Sequence, residues 1–372
     1  MTNNQNVDSS QAFVFDPSIA HNLVGTMLPD GWLLTEKARQ GFVGPDETGG
    51  HFSVGYIAEK DGKQAFVKVF DLGGALMQNA GNVMQAMMML GQNHQYECQL
   101  LDICNAAHLD RIVQVLGRGQ ASITTSQGLS TPIPYIIFER AASDIRRALH
   151  KANVIEDAWR LTMLHHVAVG VQQLHGQQIA HQDIKPSNVL IFESGGESAK
   201  LADLGRASRN DGLSAAHDSL AIAGDFNYAP PEQAYGVFAP EWRDRREGCD
   251  LYHLGALLAF VFTGVTPNMH YMNLPEAIRP RAWRGTWTGT YEDVVHHIAA
   301  AFADYLARIK PDLPDWAAEE LVVMIGQMCD PDYMRRGDPD ARRQAGAPIG
   351  IDRFISRLDR LAKEARIKTK VA

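Results

Sequence analysis

The spacing of apolar and polar residues changes several times along this chain, and each change predicts an element. Ala65-Phe66-Val67-Lys68-Val69-Phe70 alternates as a strand does. Tyr96 to Cys104 shifts to a helical period, with Leu100, Ile103 and Ala107 on one face. Arg111 to Gly119 and Ile133 to Glu139 read as two further strands joined by the polar loop Ser122 to Pro132. Trp159 to Leu174 then places Leu161, Leu164, Ala168, Val171 and Leu174 on one stripe of an amphipathic helix. Val189 to Phe192 is a short buried strand, Leu254 to Phe262 a core helix, and Ile351 to Ala362 a closing amphipathic helix with Ile351, Phe354, Ile355 and Leu358 inward. Strands gather before Glu139 and helices after it, so the pattern predicts an α+β fold with a β-rich first part and a mostly helical second part.

Between these elements lie stretches with weaker patterns. Residues up to about Ser10 are expected to be disordered, and Phe13 to Leu34 reads as a strand-containing lead-in with the turn signal Pro29-Asp30-Gly31-Trp32. Leu72 to Gln95 is rich in glycine and methionine (Met77, Met84, Met87, Met88, Met89). Methionine adapts to irregular gaps, so this stretch reads as flexible core filler in preference to a partner groove.

Composition adds boundaries. At 372 residues the chain exceeds one compact core and predicts two lobes. A formal charge of −8 argues against nucleic acid as the main partner. Cys98, Cys104, Cys249 and Cys329 show no zinc-like pairing and read as buried free thiols in a reducing compartment. No apolar run approaches the roughly 20 residues that span a bilayer. The N-terminus is polar, unlike a signal peptide, so the expectation is a cytoplasmic protein without a membrane partner. Nothing in the sequence sets an oligomeric state.

The densest chemistry lies in His181-Gln-Asp-Ile-Lys-Pro-Ser-Asn-Val-Leu190. Eight residues bring together an imidazole, a carboxylate, an ammonium and a carboxamide, with Pro186 fixing the backbone between them. Fifteen residues after Asn188 (203 − 188) comes Asp203-Leu204-Gly205, a second carboxylate on a turn. Two acids, an amide and a lysine converging from adjacent strand ends suit a metal-bound phosphoryl group.

His-x-Asp-x-Lys-Pro-x-Asn followed by Asp-x-Gly resembles the catalytic and magnesium loops of eukaryotic-like (Hanks-type) Ser/Thr protein kinases. Asp-x-Gly alone is a common turn; the ten-residue block carries the specificity. The resemblance implies a bilobal kinase-like fold with an extension over 1–40, a nucleotide-binding lobe over 41–139 and a catalytic lobe over 140–372. It further implies ATP and Mg2+ as cofactors and a protein substrate. Asp183 would accept the substrate hydroxyl's proton, Lys185 would steady the transferred phosphate, and Asn188 and Asp203 would hold magnesium.

The remaining motifs follow in the family's order. Gly50-His51-Phe52-Ser53-Val54-Gly55 resembles the loop that covers the phosphates, with Ser53 and Gly55 replacing the usual glycine and valine; alone it reads equally as a glycine-rich hairpin. Lys68 sits where the strand lysine grips the α- and β-phosphates. Glu97 resembles the helix glutamate that pairs with that lysine, 29 residues on (97 − 68). This separation is longer than usual, which makes 72–95 an insertion before or within that helix. Where the family places a valine and an alanine over adenine, this chain has Gly55 and Phe66, so the Phe66 ring is expected to fill the space vacated at Gly55. Phe138 takes the gatekeeper position. Glu139, Arg140 and Ala141 form the hinge, and Asp144 either approaches the ribose or caps the next helix.

Further on, Pro230-Pro231-Glu232 resembles the end of an activation segment, and Asp250 to Gly264 the central helix whose Asp250 anchors the catalytic loop. Arg336 lies where an arginine pairs with Glu232. Tyr271 to Pro314 exceeds the family core and carries Arg279, Arg281, Trp283, Arg284 and Trp287. That alternation packs an accessory helix in one reading and meets nucleic acid or an acidic peptide in another.

Three functions are compatible with these motifs. An active Ser/Thr kinase accounts for Lys68, Glu97, Asp183, Lys185, Asn188 and Asp203 together. A pseudokinase would account for Ser53, Gly55, Phe66 and for Asp225, which replaces a threonine and is expected to bring a second negative charge near Asp183. A small-molecule kinase shares the catalytic Asp and Asn but lacks a reason for Lys185 or for the Glu232 and Arg336 positions. In many kinases an arginine precedes the catalytic aspartate and pairs with a phosphate on the activation segment. Gln182 cannot do this, so activity is expected to depend little on phosphorylation at Ser208, Ser214 or Ser219.

Overall fold

The structure, a computed structural model, describes residues 19–38, 53–78, 82–124, 130–151, 156–193, 195–211, 217–218 and 220–371. The expected disorder up to Ser10, the candidate residues Gly50 and Phe52, and Ser214 and Ser219 lie outside these. The chain divides into two compact units, the first built from residues up to 91 with 117–138 and the second from 92–116 with 139 onward.

The first unit is built on five strands: β1 (Leu33–Lys37), β2 (Ser53–Lys60), β3 (Lys63–Phe70), β4 (Val115–Thr124) and β5 (Ser130–Glu139), in the order β1-β2-β3-β5-β4. Asp61 and Gly62, both at positive φ (50° and 73°), make the two-residue turn between β2 and β3, a geometry that matches strand twist. The turn sets the register Lys60 to Lys63 and therefore Gly55 to Lys68. Because side chains alternate, that register buries Val54, Tyr56 and Ala58 with Ala65, Val67 and Val69. Gly55, Phe66 and Lys68 are left on the opposite face. The lead-in is closed by Tyr56, whose hydroxyl donates to the Ala20 carbonyl at 2.7 Å and accepts from the Leu23 amide.

β4 and β5 reach beyond the strands read from the sequence. The described ends of the polar stretch, 122–124 and 130–132, are strand, whereas Arg111 to Gln114 precedes β4. Ser and Thr sit readily on a pleated surface, so polarity alone was a poor sign of a loop.

Helices α1 (Leu72–Gln78) and α2 (Val83–Ala106) follow β3. On α2, Ala86 and Leu90, four residues apart, are buried, while Met84, Met87 and Met88 are 70%, 48% and 57% exposed. These methionines occupy the outward face of a regular helix and are not core filler.

The second unit continues with β6 (Ser143–Asp144), α3 (Ile145–Lys151), α4 (Asp157–Gly176) and β7 (Ile179–Ala180). The strands β8 (Val189–Phe192), β9 (Ser198–Leu201) and β10 (Ser208–Arg209) complete two small sheets, β6-β8-β9 and β10-β7. The helices that follow are α5 (Pro231–Ala234), α6 (Gly248–Thr263), α7 (Pro267–Tyr271), α8 (Val295–Ile309), α9 (Ala318–Met328), α10 (Pro339–Arg342) and α11 (Ile351–Val371). α6 is buried on almost every side, as its continuous apolar run predicts. α4 packs against α11, which runs past the predicted end at Ala362 and adds Ala365 to the inward face.

Within the arginine and tryptophan alternation of 271–314, Trp283 and Arg279 pack, whereas Arg281 and Arg284 are exposed. Trp283 is buried, stacked on Tyr271 at 5.4 Å and edge-on to Tyr235 at 5.7 Å. Arg279 donates to the carbonyls of Met272 and Trp283. All four cysteines are buried free thiols.

Candidate active site

Asp183 is held from three directions inside the second unit. One carboxylate oxygen accepts from the Asp225 amide at 2.9 Å. The other accepts from the Asn188 side-chain amide at 3.0 Å and lies 3.1 Å from Lys185 Nζ. The same Asn188 nitrogen also donates to the Asp183 carbonyl at 2.8 Å, so one carboxamide fixes both ends of the residue. Burial pushes the Asp183 carboxyl above the ordinary carboxylate range; the Lys185 ammonium opposes this, and Asp203 adds to it.

The loop owes its shape to Asp250 at the start of α6. Its carboxylate accepts from the backbone amides of His181 (2.8 Å) and Gln182 (2.7 Å) and from His175 Nε2 (2.9 Å). Burial alone would raise the Asp250 carboxyl, yet the His175 hydrogen bond and the surrounding donors hold it below its usual value. These bonds compensate for a left-handed backbone at Gln182 (φ 62°), a conformation that costs a non-glycine residue roughly 1–2 kcal/mol. His181 accepts the Asp183 amide at Nδ1 and reaches the Ala202 carbonyl through Nε2 at 3.0 Å, which assigns the proton to Nε2.

Asn188 and Asp203 meet at the open end of the β8–β9 hairpin. Val189 pairs with Leu201, and the Ala202 amide donates to the Asn188 carbonyl at 2.9 Å, so Asp203 is one residue beyond that rung. Asp203 is also left-handed (φ 65°) and accepts weakly from the Gly205 amide. With its nitrogen committed to Asp183, Asn188 turns Oδ1 the other way, 3.5 Å from the Ser187 hydroxyl. Magnesium retains several waters and takes one or two protein oxygens beside substrate phosphates. A carboxamide oxygen and a carboxylate at one hairpin end fit that demand. Among the described residues no three His, Cys, Asp or Glu side chains form a metal cage of their own.

Asp225 stands beside Asp183, as the sequence predicts, but the two carboxylates meet through a shared ammonium. Its amide touches Asp183, while its carboxylate lies 3.4 Å from Lys185 Nζ, leaving that ammonium between two acids. Burial is the main cause that raises the Asp183 carboxyl, and the Asp203 carboxylate adds to it. Gly224, next in the chain, has no room for a side chain, because a β-carbon would collide with the Gln182 carbonyl and stand 2.9 Å from Asp183 Oδ1.

The other candidates divide between the units. Ser53, Gly55, Phe66, Lys68 and Phe138 belong to the first, with the Phe66 ring against Gly55 as expected. Glu97 is buried on α2 in the second. Glu139 spends its carboxylate on Lys200 Nζ (2.6 Å) and the Gln114 amide (2.8 Å), and its own amide on the Gln114 carbonyl (3.0 Å). Ala141 is half-buried beside Ala142, whose amide donates to Ile191. Asp144 caps α3: its carboxylate accepts from the Arg147 amide at 3.0 Å and pairs with Arg146 and Arg147. The expected Glu232–Arg336 pair forms with two parallel bonds of 2.7 Å.

Sequence reasoning missed three contributors: His175, Asp218 and Arg246. Arg246 stands in the charged run Arg243–Glu247, which reads as a solvated face. A π-helical turn there rotates Arg246 inward, to 1% exposure.

A family model for the protein kinase domain matches residues 50–337. The chain is 33% identical over 139 residues to a probable serine/threonine-protein kinase PknB of Corynebacterium glutamicum, covering 37% of this chain and 20% of that one. It is 38% identical over 101 residues to a probable serine/threonine-protein kinase of Clostridium perfringens, covering 27% and 13%. It is also 30% identical over 158 residues to ribosomal protein S6 kinase 2 alpha of Gallus gallus, covering 40% and 20%. The matches thus span a fifth or less of each of these relatives.

Proposed function

The chain belongs to the protein kinase domain family, and from that premise we propose that it transfers the γ-phosphoryl group of ATP to serine or threonine hydroxyls of protein substrates. The observation that carries this reading is the state of Asp183: buried, aimed by three donors, and raised in pKa while still beside an ammonium. A carboxylate so placed can accept a hydroxyl proton as the oxygen attacks, because its basicity is shifted toward neutrality. Lys185 adds positive charge where the transferred group would develop negative charge. Asn188 and Asp203 would hold magnesium, which when bound neutralises the phosphate oxygens. In this reading Lys68 contacts the nucleotide phosphates, Glu97 supports that lysine, and Ser53, Gly55, Phe66 and the 138–141 backbone line the nucleotide.

Residues 41–139 would then serve as the nucleotide-binding lobe and 140–372 as the catalytic lobe. The pseudokinase alternative is weakened because every catalytic position is filled, and the buried Glu232–Arg336 pair speaks against a small-molecule kinase. Among the described residues no helix is long and apolar enough to cross a membrane, and we assign the protein to the cytoplasm. The test is magnesium-dependent transfer of labelled phosphate from ATP to casein by wild type and by Asp183→Ala. Transfer by wild type alone is expected; equal transfer by both would end the assignment.

A further inference from the structure

The segment between Asp203 and Glu232 has to be held against the catalytic loop for Asp225 to reach Asp183. Gln182, the residue before Asp183, carries no charge with which to hold it. The structure supplies a cation from elsewhere. Arg246 reaches Asp218 Oδ1 at 2.7 Å and the Asp218 carbonyl at 3.2 Å with one nitrogen, and its other terminal nitrogen donates to Gln182 Oε1. Gln182 passes the contact on: its Nε2 donates to the Arg206 carbonyl at 3.0 Å and to the buried Ser208 hydroxyl at 2.8 Å. One guanidinium therefore ties residue 218 to the residue beside the proposed base, through Gln182.

We propose that Arg246 is a positioning residue for phosphoryl transfer, and that the Asp218 carboxylate occupies the role a phosphate on this segment would otherwise fill. The proposal rests on the kinase reading above. Its physical basis is the burial of Arg246. Burial draws the guanidinium pKa down and Asp218 draws it up, so the pair is a charge-assisted contact inside protein. Without Asp218 the guanidinium would retain only neutral oxygen acceptors among these contacts, and a buried cation without its counter-charge destabilises the arrangement around it. The neighbouring His217 does not compete for the carboxylate: its Nε2 lies 3.0 Å from the Ala207 carbonyl, and burial favours its neutral form. The charge that orders the segment is thus encoded in the chain, and phosphorylation is not needed to supply it.

The test uses the full chain after phosphatase treatment, with loss of phosphate verified by intact mass. Amide hydrogen exchange over 181–188 and 220–228 is read together with transfer from MgATP to casein. Phosphatase treatment is expected to change neither. Asp218→Ala should speed exchange in both segments and lower kcat at least about tenfold, with KM for ATP within about twofold, since a misplaced base mainly costs turnover. Asp218→Glu should restore both. Arg246→Met should repeat the defect; if it does not fold, the Asp218 pair decides, because that side chain is 18% exposed. Unchanged exchange in Asp218→Ala, a Glu variant no better than Ala, or a wild type that needs its phosphate would each overturn the proposal. If wild type transfers nothing while the exchange effects appear, the kinase reading fails and the anchor stands.

Discussion

The Phe66 ring lies against the backbone of Gly55, its Cε2 2.7 Å from where a β-carbon at 55 would stand. Gly55 pairs with Lys68 and Phe66 with Ile57, so the two are diagonal neighbours on one face of the β2–β3 ladder. The ring occupies the space that a side chain at residue 55 would need.

This relationship predicts strong coupling between the two sites. Gly55→Val alone should cost about 1–3 kcal/mol by overpacking. In a Phe66→Ala background the same change should cost at least about 1 kcal/mol less, since the ring is no longer there to be displaced. Chemical denaturation of the four species measures this directly. Additive effects would mean that the ring does not depend on the missing side chain.

A second pair fixes the end of the segment that carries Asp225. Arg336 is fully buried, grips both oxygens of Glu232, and lies over the Tyr252 ring at 5.1 Å. Burial disfavours its charge, but Glu232 more than compensates and raises its pKa. Glu232→Ala should therefore destabilise the fold by about 3–5 kcal/mol, and Glu232→Ala with Arg336→Met should recover part of that loss. Urea unfolding of both variants gives the answer. A single variant within 1 kcal/mol of wild type, taken as about the scale of a surface pair, would show that the contact contributes little.

These two cases also show what a sequence can reveal. The catalytic loop was legible because its chemistry is contiguous: Asp183, Lys185 and Asn188 stand within six residues, and the hairpin that brings up Asp203 is short. Glu232 and Arg336 were legible only through resemblance, being 104 residues apart. Arg246 was not legible, because its value depends on Gln182 and Asp218, 64 and 28 residues away, and on a π-helical turn that no apolar period announces. The outward Met84, Met87 and Met88 were misread because methionine type says nothing of the face it occupies. Asp144 was undecided because a ribose ligand and a helix cap require the same residue.

The raised pKa of Asp183 has opposite consequences for turnover and stability. Transfer needs the ionised carboxylate, so kcat/KM should fall on the acid side with a midpoint above the roughly 3.9 of a free aspartate. A raised folded pKa means that the folded chain holds this proton more tightly. The group's stabilisation is fully present below the unfolded value and is lost as pH rises through the folded one. Asp183→Asn removes that loss while keeping the shape. It should abolish transfer yet melt no lower than wild type at neutral pH. A clear drop in melting temperature would show that the charge on Asp183 holds the loop together.

Asp225 departs from the kinase pattern, and its effect can be separated by atom. The amide that holds Asp183 at 2.9 Å belongs to the backbone and survives any substitution the loop tolerates. The carboxylate engages two other residues: it accepts from Asn227, through the backbone amide at 3.0 Å and the side-chain amide at 3.1 Å, and stands 3.4 Å from Lys185 Nζ. A threonine hydroxyl can take over the backbone-amide bond but not the ion pair with Lys185. Lys185, now shared between Asp183 and Asp225, would then have one acid partner and more of its field directed at a transferred phosphate. Asp225→Thr should accordingly keep kcat or raise it by up to about tenfold. Steady-state transfer to casein measures the outcome. A loss of more than tenfold, roughly 1.4 kcal/mol in the barrier, would instead mean that the second carboxylate is what keeps Lys185 in place.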